Sequence, residues 1–289
     1  MNPVHNLKGL KSILNVLLEW KSTPYIILCF ISLFLLFPFF WTFVTSFKTM
    51  EEVYRWPPTI APEKPSFSGY SFALLYTMLP VQLLNSLIYA LLSSVIVTLL
   101  CTITIYGLIM FPYRGSKTVL SIFFATRIIP PQALWLPFVL IYSRVGLINT
   151  RIGVIVFEIA LIYPLAVWMV RDFFESFPKE LIEAGQIDGL SRLGALFRIV
   201  VPIAAPAISA IAIIAFLWVW GEFMFPFLIL NSPALQPVTV SAYQFIGEEG
   251  IKWNALAATQ TLILMPGILF FLFAQKNIVK GLAAGSVKQ

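Results

Sequence analysis

Long stretches without a single charge constrain this chain more than any other feature. Between Lys21 and Lys48 there is no Asp, Glu, Lys or Arg, and Tyr25 to Ser46 is nearly all apolar. A helix crossing ~30 Å of hydrocarbon at ~1.5 Å per residue needs about 20 such residues. A second uncharged stretch runs from Lys64 to Arg114. Composition closes the alternatives. Of the 289 residues 59% are hydrophobic and only 11% charged, too few charges to keep a soluble domain of this size in water.

The spacing predicts six membrane helices, at about 24–47, 83–109, 119–142, 152–170, 204–230 and 256–274. Arg127, Pro130, Pro131 and Pro137 interrupt the third. Glu158 lies in the fourth and Glu222 near the end of the fifth. Backbone groups in lipid must be satisfied within their own segment, and no alternating barrel pattern is present, so the expected class is all-α. The whole of 1–289 reads as one polytopic helix bundle. Its first span is too long for a signal peptide and no small-residue cleavage site follows it, so it reads as a retained anchor.

Loop charges set the expected orientation. With the N-terminus in the cytoplasm, the inner segments hold Lys8, Lys11, Lys21, Arg114, Lys117, Arg171, Lys179, Arg192, Arg198, Lys276, Lys280 and Lys288. The outer ones hold Lys48, Arg55, Lys64, Arg144, Arg151 and Lys252. Twelve against six favours both termini inside. The net charge of +6 then does topological work, and nucleic acid drops out as a partner. Cys29 and Cys101 sit in apolar runs and the one histidine, His5, lies in the N-terminal tail, which argues against a disulfide framework, a metal site or histidine catalysis. The outer loop 48–82 carries Pro57, Pro58, Pro62 and Pro65, which favour extended structure.

One inner segment, 171–202, differs from every other loop. It is long and amphipathic. Ser176 and Pro178 make a plausible helix start, with Glu180 and Glu183 in the first turns where the dipole favours acids. Asp188-Gly189 signals a turn, Ser191 can cap a second short helix carrying Leu193, Leu196 and Phe197, and Pro202 precedes span five. The result is an elbow on the membrane surface presenting Leu181, Ile182, Ala184 and Ile187 beside small Gly185. From the residues alone it is either a docking element or an interfacial tether between two spans.

Glu183-Ala184-Gly185, three residues, Gly189, nine residues, Ile199, one residue, Val201-Pro202 resembles the coupling-loop motif of permease subunits of bacterial ABC importers. The family usually has Glu-Ala-Ala and Leu-Pro where this chain has Glu-Ala-Gly and Val-Pro. The string from Pro178 to Gly189 is especially similar to the carbohydrate, maltose-type branch. Similar blocks recur at Ser46-Phe47-Lys48 with Pro57-Pro58, Asn85-Ser86-Leu87, Gly146-Leu147-Ile148-Asn149-Thr150, Trp220-Gly221-Glu222-Phe223, Trp253 and the tail Gly281 to Lys288. The resemblance implies a multi-pass subunit of the bacterial cytoplasmic (inner) membrane. It implies a second permease chain of different sequence, two ATPase subunits, an external solute-binding protein and a carbohydrate cargo. ATP and Mg would sit on the ATPases. This chain has no G-x-x-x-x-G-K-[ST] loop to cradle phosphate and is expected to bind no cofactor and to catalyse nothing itself. Glu183, Ala184, Gly185, Asp188, Gly189, Ile199 and Pro202 would form the ATPase-coupling surface, with Glu183 anchoring the contact and Gly189 permitting the turn.

For the translocation path or gate the candidates are Arg127, Gln132, Glu158, Trp218, Trp220 and Glu222. Charges inside a membrane need a partner or water. The three embedded charges either pair with one another or with backbone carbonyls, or Arg127 faces a watery path and attracts an acidic sugar, with Gln132 nearby. Trp135, Tyr142, Tyr163, Trp218 and Trp220 offer aromatic faces for sugar stacking or for helix packing. A non-sugar solute is the alternative cargo. A membrane-embedded transferase would need clustered acids, and Asp172, Glu175, Glu180 and Asp188 are the only such group.

Overall fold

The computed structural model describes residues 23–247 and 250–286, and for 246–247, 273–274 and 276–286 the backbone alone. His5, Lys8, Lys11, Lys21, Glu248, Glu249, Val287 and Lys288 therefore lie outside the described residues. The chain forms α1 (Thr23–Thr45), α2 (Met50–Val53), α3 (Ser68–Leu75), α4 (Leu79–Met110), α5 (Ser116–Thr126), α6 (Pro131–Val145) and α7 (Arg151–Glu175). There follow α8 (Lys179–Ile187), α9 (Arg192–Ala195), a π turn (Leu196–Val200), α10 (Val201–Gly221), α11 (Met224–Ile229), α12 (Val238–Ser241) and α13 (Trp253–Ser286). A two-residue antiparallel pair, β1 (Ile246–Gly247) with β2 (Gly250–Ile251), precedes α13.

Five of these helices are long and apolar enough to cross a membrane, and a sixth if α5 and α6 count as one span. Those two meet at 98°. The expected third span is thus not straight. Pro130 and Pro131 remove consecutive backbone donors, and Pro130 disfavours helical backbone at Ile129, so the ladder stops at Arg127. The expected fifth span also needs correction. α10 ends at Gly221, because Glu222 is extended (φ −71°, ψ 132°) and starts the separate α11. The proline-rich outer loop is not wholly extended either. Thr49 caps α2 by accepting the Glu52 N–H, and α3 follows at Ser68.

α4 is the post on which the bundle is built. Tyr89, Ser93, Val97, Cys101 and Ile105, each four residues apart, are all at most 1% exposed. Ser86, Ala90, Ser94, Thr98, Thr102 and Tyr106 form a second buried row beside them. Such i, i+4 rows face one side of a helix, and their small residues let α7 and α10 approach closely, which is how helices associate where lipid provides no hydrophobic drive. α10 answers with Ala204, Ala207, Ala210 and Ile211, and α7 with Ala166, Val167 and Val170. Cys29 is exposed on α1.

The connecting loops gather at two ends. At one end Asn85 donates to Ala234 O (2.8 Å) and Gln236 O (3.1 Å) and accepts from Arg151 (3.0 Å), while Tyr89 donates to Leu235 O. Asn149, at φ 57°, accepts the N–H groups of Asn231 and Ser232. Thr150 caps α7 by accepting the Gly153 N–H. Tyr54 reaches Ile251 O in the same region. At the opposite end the Tyr106 hydroxyl donates to Arg192 O (2.8 Å), and the Arg192 guanidinium lies 4.5 Å over the Phe111 ring.

In the first of these loop regions Glu52 is buried. Burial pushes its carboxyl up, but the Glu63 N–H, the Thr59 hydroxyl and the charges of Lys48 and Arg55 together hold it below the ordinary value of 4.5. The folded chain therefore releases this proton more readily than the unfolded one. Ionised Glu52 adds stability above about pH 4.5, and the gain is lost as pH falls through its lower folded value. On acidification from neutral pH to below about 4, the thermal midpoint of Glu52→Gln in detergent is expected to fall less than that of the unaltered chain. Parallel curves would contradict this role.

Candidate functional site

The segment between α7 and α10 is built as an elbow. Ser176 closes α7 rather than opening α8, its N–H donating to Asp172 O and its hydroxyl to Phe173 O. Pro178 then occupies the N-cap position of α8 without a side-chain bond, and Glu180 lies in the first turn. Asp188 N–H donates to Ala184 O, Gly189 N–H to Gln186 O (3.1 Å) and Leu190 N–H to Gly185 O (2.9 Å). The last two are the paired closing bonds of a Schellman stop. That stop requires a left-handed residue, and Gly189 supplies it at φ +89° with open space where a Cβ would be. Ser191 then caps α9 by accepting the Gly194 N–H at 3.0 Å.

The long-range spacing of the motif also has a physical basis. A Cβ on Gly185 would collide with Ile199 Cδ1 and come within 3.3 Å of Leu190 Cδ1. Gly185 and Ile182 form the inward face of α8, while Leu196 and Val200 are fully buried beneath the elbow. Of the four residues expected at the presented surface, Ile182 is buried, and Leu181, Ala184 and Ile187 are exposed. Glu183 and Asp188 are exposed with them, and Leu193 and Phe197 extend the apolar patch. The π turn lies immediately before Pro202. Val201 N–H reaches back to Leu196 O, a wider turn than α, so the ladder is already expanded where the proline ring must fit. The elbow thus continues into α10 without a flexible joint.

The embedded charges are not brought together as pairs. Among the described residues the ion pairs are Arg55–Glu63 and Arg171–Glu175, and neither includes Arg127, Glu158 or Glu222. Arg127 caps the C-terminus of α5 at the bend and is exposed. It lines a cleft of about 100 Å³ with Ile129, Pro131, Phe138, Phe157, Leu161 and Pro164. Gln132 is exposed on the first turn of α6 and does not line that cleft. Glu222 is half-buried, and its Oε1 accepts the Phe225 N–H at 3.2 Å. Glu158 is fully buried, and neither carboxyl oxygen has a hydrogen-bond partner. Tyr142 nearby is 3% exposed with its hydroxyl likewise unmatched.

The aromatic candidates divide similarly. Trp220 is buried and donates its Nε1–H to Ile263 O (3.1 Å), joining α10 to α13. Trp218 is 37% exposed. Tyr163 shares a 2.6 Å hydrogen bond with Thr104, and Trp135 packs against the core. What sequence reasoning missed is a pocket between α1, α2 and α13, where Trp41, Lys48, Glu52 and Trp253 converge. The Thr49–Glu52 capping pattern hinted at α2. Nothing in the sequence showed that Thr59 would fold back onto both Lys48 and Glu52.

Residues 104–284 match the family described as binding-protein-dependent transport system inner membrane component. The chain is 32% identical to the sulfoquinovosyl glycerol transport system permease of Agrobacterium fabrum, over 88% of this chain and 89% of that one. It is 29% identical to the melibiose/raffinose/stachyose import permease of Bacillus subtilis, over 87% and 91%. Its fold resembles a chain of a bacterial ABC transporter involved in import of the acidic polysaccharide alginate, with a TM-score of 0.78 at 20% identity over 96% of this chain and 98% of that one.

Gly189→Ala is expected to cost roughly 1–2 kcal/mol, because an L side chain disfavours the left-handed region. Hydrogen exchange at the Leu190 amide should quicken by about ten-fold, and Gly189→Asn should recover part of the protection. Unchanged exchange in Gly189→Ala would remove the Schellman account.

Proposed function

The chain belongs to the family of binding-protein-dependent transport system inner membrane components, permease subunits of ATP-binding-cassette importers, and we propose that its cargo is a carbohydrate. The identity to the sulfoquinovosyl glycerol permease over 88% of this chain carries the reading. The Bacillus subtilis relative, an import permease for three sugars, supports it.

In this reading the elbow faces the cytoplasm and both termini lie on that side. The exposed Leu181, Ala184, Ile187 and Glu183 enter a groove on one of two partner ATPase subunits, which hold ATP and Mg. The solute-binding protein docks on the opposite end, against the loops around 231–252, and a second permease of different sequence completes the pore. When the ATPases close, the elbow moves as a rigid lever. Three features favour this: the Schellman stop, the Gly185–Ile199 contact and the unbroken run into α10. α10 is packed on α4 and α13, so its displacement is expected to shift the bundle between inward-open and outward-open states.

The cargo is further proposed to be an acidic sugar. Arg127 is exposed, has no ion pair among the described residues and stands at a membrane-embedded bend beside a cleft. A cation kept there without a protein partner suits a carboxylate or sulfonate on a passing solute. The structural likeness to an importer of an acidic polysaccharide runs in the same direction.

The test uses the complete membrane complex with its binding protein in vesicles, comparing neutral and acidic oligosaccharides. Glu183→Ala should reduce uptake of any cargo by at least ten-fold without lowering the amount of permease in the membrane. Arg127→Met should raise KM for acidic sugars by about ten-fold or more, the loss of a charge-assisted bond of ~1.5–3 kcal/mol, and leave neutral sugars unaffected. Equal uptake of acidic sugars by Arg127→Met would remove the acidic-cargo reading. Stimulation only by a non-sugar solute would remove the carbohydrate reading.

A further inference from the structure

One pocket of the chain shares no lining residue with the elbow or with the Arg127 cleft, and it holds a buried cation and a buried anion. It holds about 370 Å³ between the end of α1, α2 and the start of α13. Trp41, Tyr54, Trp253 and Gln260 line it together with Lys48 and Glu52. Lys48 is 3% exposed and Glu52 9%. Opposite charges buried this close would be expected to pair directly, yet they form no ion pair. Thr59 holds them apart. Its carbonyl accepts from Lys48 Nζ, and its hydroxyl donates to Glu52 Oε1 at 2.7 Å.

The split leaves each charge with capacity to spare. Glu52 Oε1 takes both of its protein bonds, from Thr59 and from the Glu63 N–H (3.0 Å), and Oε2 takes none among the described residues. Lys48 spends one N–H on Thr59, and its ammonium also lies 4.7 Å from the Trp41 ring centroid. An ammonium carries three donors. One pocket therefore presents an available cation and an available anion, fixed side by side, under aromatic walls. Its complement is a molecule carrying one charge of each sign a few ångströms apart.

The pocket's position selects the source. Trp41 closes the final turns of α1 and Trp253 opens α13, where indole rings mark a membrane–water boundary. The membrane-spanning window of α1 buries none of its residues inside this chain. The pocket lies between the two helices, lined by Thr42 and Thr45 of α1 and by Leu256 and Ala257 of α13, so apolar helix surface adjoins the two charges. A soluble zwitterion has no use for that surface, whereas acyl chains do.

We infer that this pocket binds the headgroup of a zwitterionic phospholipid bearing a primary ammonium. The phosphate meets Lys48, the ammonium meets Glu52 Oε2 and the Trp253 face, and the acyl chains lie along α1 and α13. The lipid would fasten α1, the one of the five membrane-length helices with no residue of its apolar window buried in this chain, to α13.

The test uses the complete complex, delipidated in detergent and returned to nanodiscs of ethanolamine, choline or glycerol phospholipid. Ethanolamine lipid should raise the thermal midpoint above the other two, and native mass spectrometry should retain it at least ten-fold more than choline lipid, whose trimethylated nitrogen cannot donate to Glu52. Glu52→Gln should abolish that preference. Trp253→Ala, which leaves both buried charges in place, should weaken retention several-fold, so a folding defect in Glu52→Gln does not decide the matter. Soluble glycerophosphoethanolamine should compete poorly. Four results would each overturn the inference: no headgroup preference in the unaltered complex; a preference unchanged in both variants; equal competition by the soluble headgroup, which would indicate a solute site; or cross-linking of residue 54 to the second permease in every complex, which would mean that a protein chain fills the pocket.

Discussion

The bundle depends on the close packing of α7 and α10 against α4. The two buried rows of α4, spaced four residues apart, leave α7 and α10 in contact along most of its length. Its ends are tied as firmly as its middle. Asn85 and Tyr89 hold the 234–236 backbone at one end, and Tyr106 holds Arg192 of the elbow at the other. From Asn85 to Tyr106 the helix rises ~32 Å at ~1.5 Å per residue, about the thickness of the hydrocarbon core. One rigid element therefore contacts both the loop cluster and the elbow. A displacement of the elbow must either carry α4 with it or break the Tyr106–Arg192 bond.

The second path from the elbow is covalent. α9, the π turn and α10 are consecutive helical segments, and Pro202 sits where the wide turn returns to α geometry. A proline in a regular helix would bend it by clashing with the carbonyl four residues back. Here the π turn absorbs the misfit within one turn, and the helix runs on to Gly221. At that far end the chain breaks again at Glu222, and the Thr239 hydroxyl donates to Glu222 O across the break. α10 is thus a strut with a defined joint at each end, neither of them floppy.

Much of this was legible in the sequence because the bilayer is a severe solvent. Long apolar runs had to be helices, and five continuous helices of membrane-crossing length are present. The motif residues were legible as a pattern, and the structure gives several of them physical content. Gly189 provides positive φ, Gly185 makes room for Ile199, Ser191 caps α9, and Asn85 and Asn149 satisfy loop backbone. Helix interruptions were less legible. Pro130 and Pro131 announced a break but not a 98° turn, whose angle depends on what α6 packs against. Glu222 gave no warning, because the break is accompanied by a local bond from the Phe225 N–H and by a bond from Thr239, which lies beyond the span. The Lys48–Thr59–Glu52 arrangement was illegible for the same reason: it depends on the return path of a loop, and loop paths are set by partners distant in sequence.

The embedded charges show how the breaks and the electrostatics belong together. Arg127 stands at the C-terminus of α5, where unpaired carbonyls concentrate negative partial charge, and Glu222 stands before α11, where unpaired N–H groups concentrate positive partial charge. Each has the sign its helix end favours. A broken span exposes backbone groups that lipid cannot satisfy, and a side chain of matching charge at the break compensates them in part. Glu158 has no such place. It lies in the interior of α7 next to Phe157, whose ring stacks on Phe225 at 3.4 Å, and neither of its carboxyl oxygens has a hydrogen-bond partner among the described residues. The position of Arg127 and of Glu222 thus matches the partial charge of the helix end beside it, and for Arg127 that leaves the guanidinium without an ion pair among the described residues. Glu158 and the unmatched Tyr142 hydroxyl near it are buried polar groups within continuous helices, so no backbone break accounts for them.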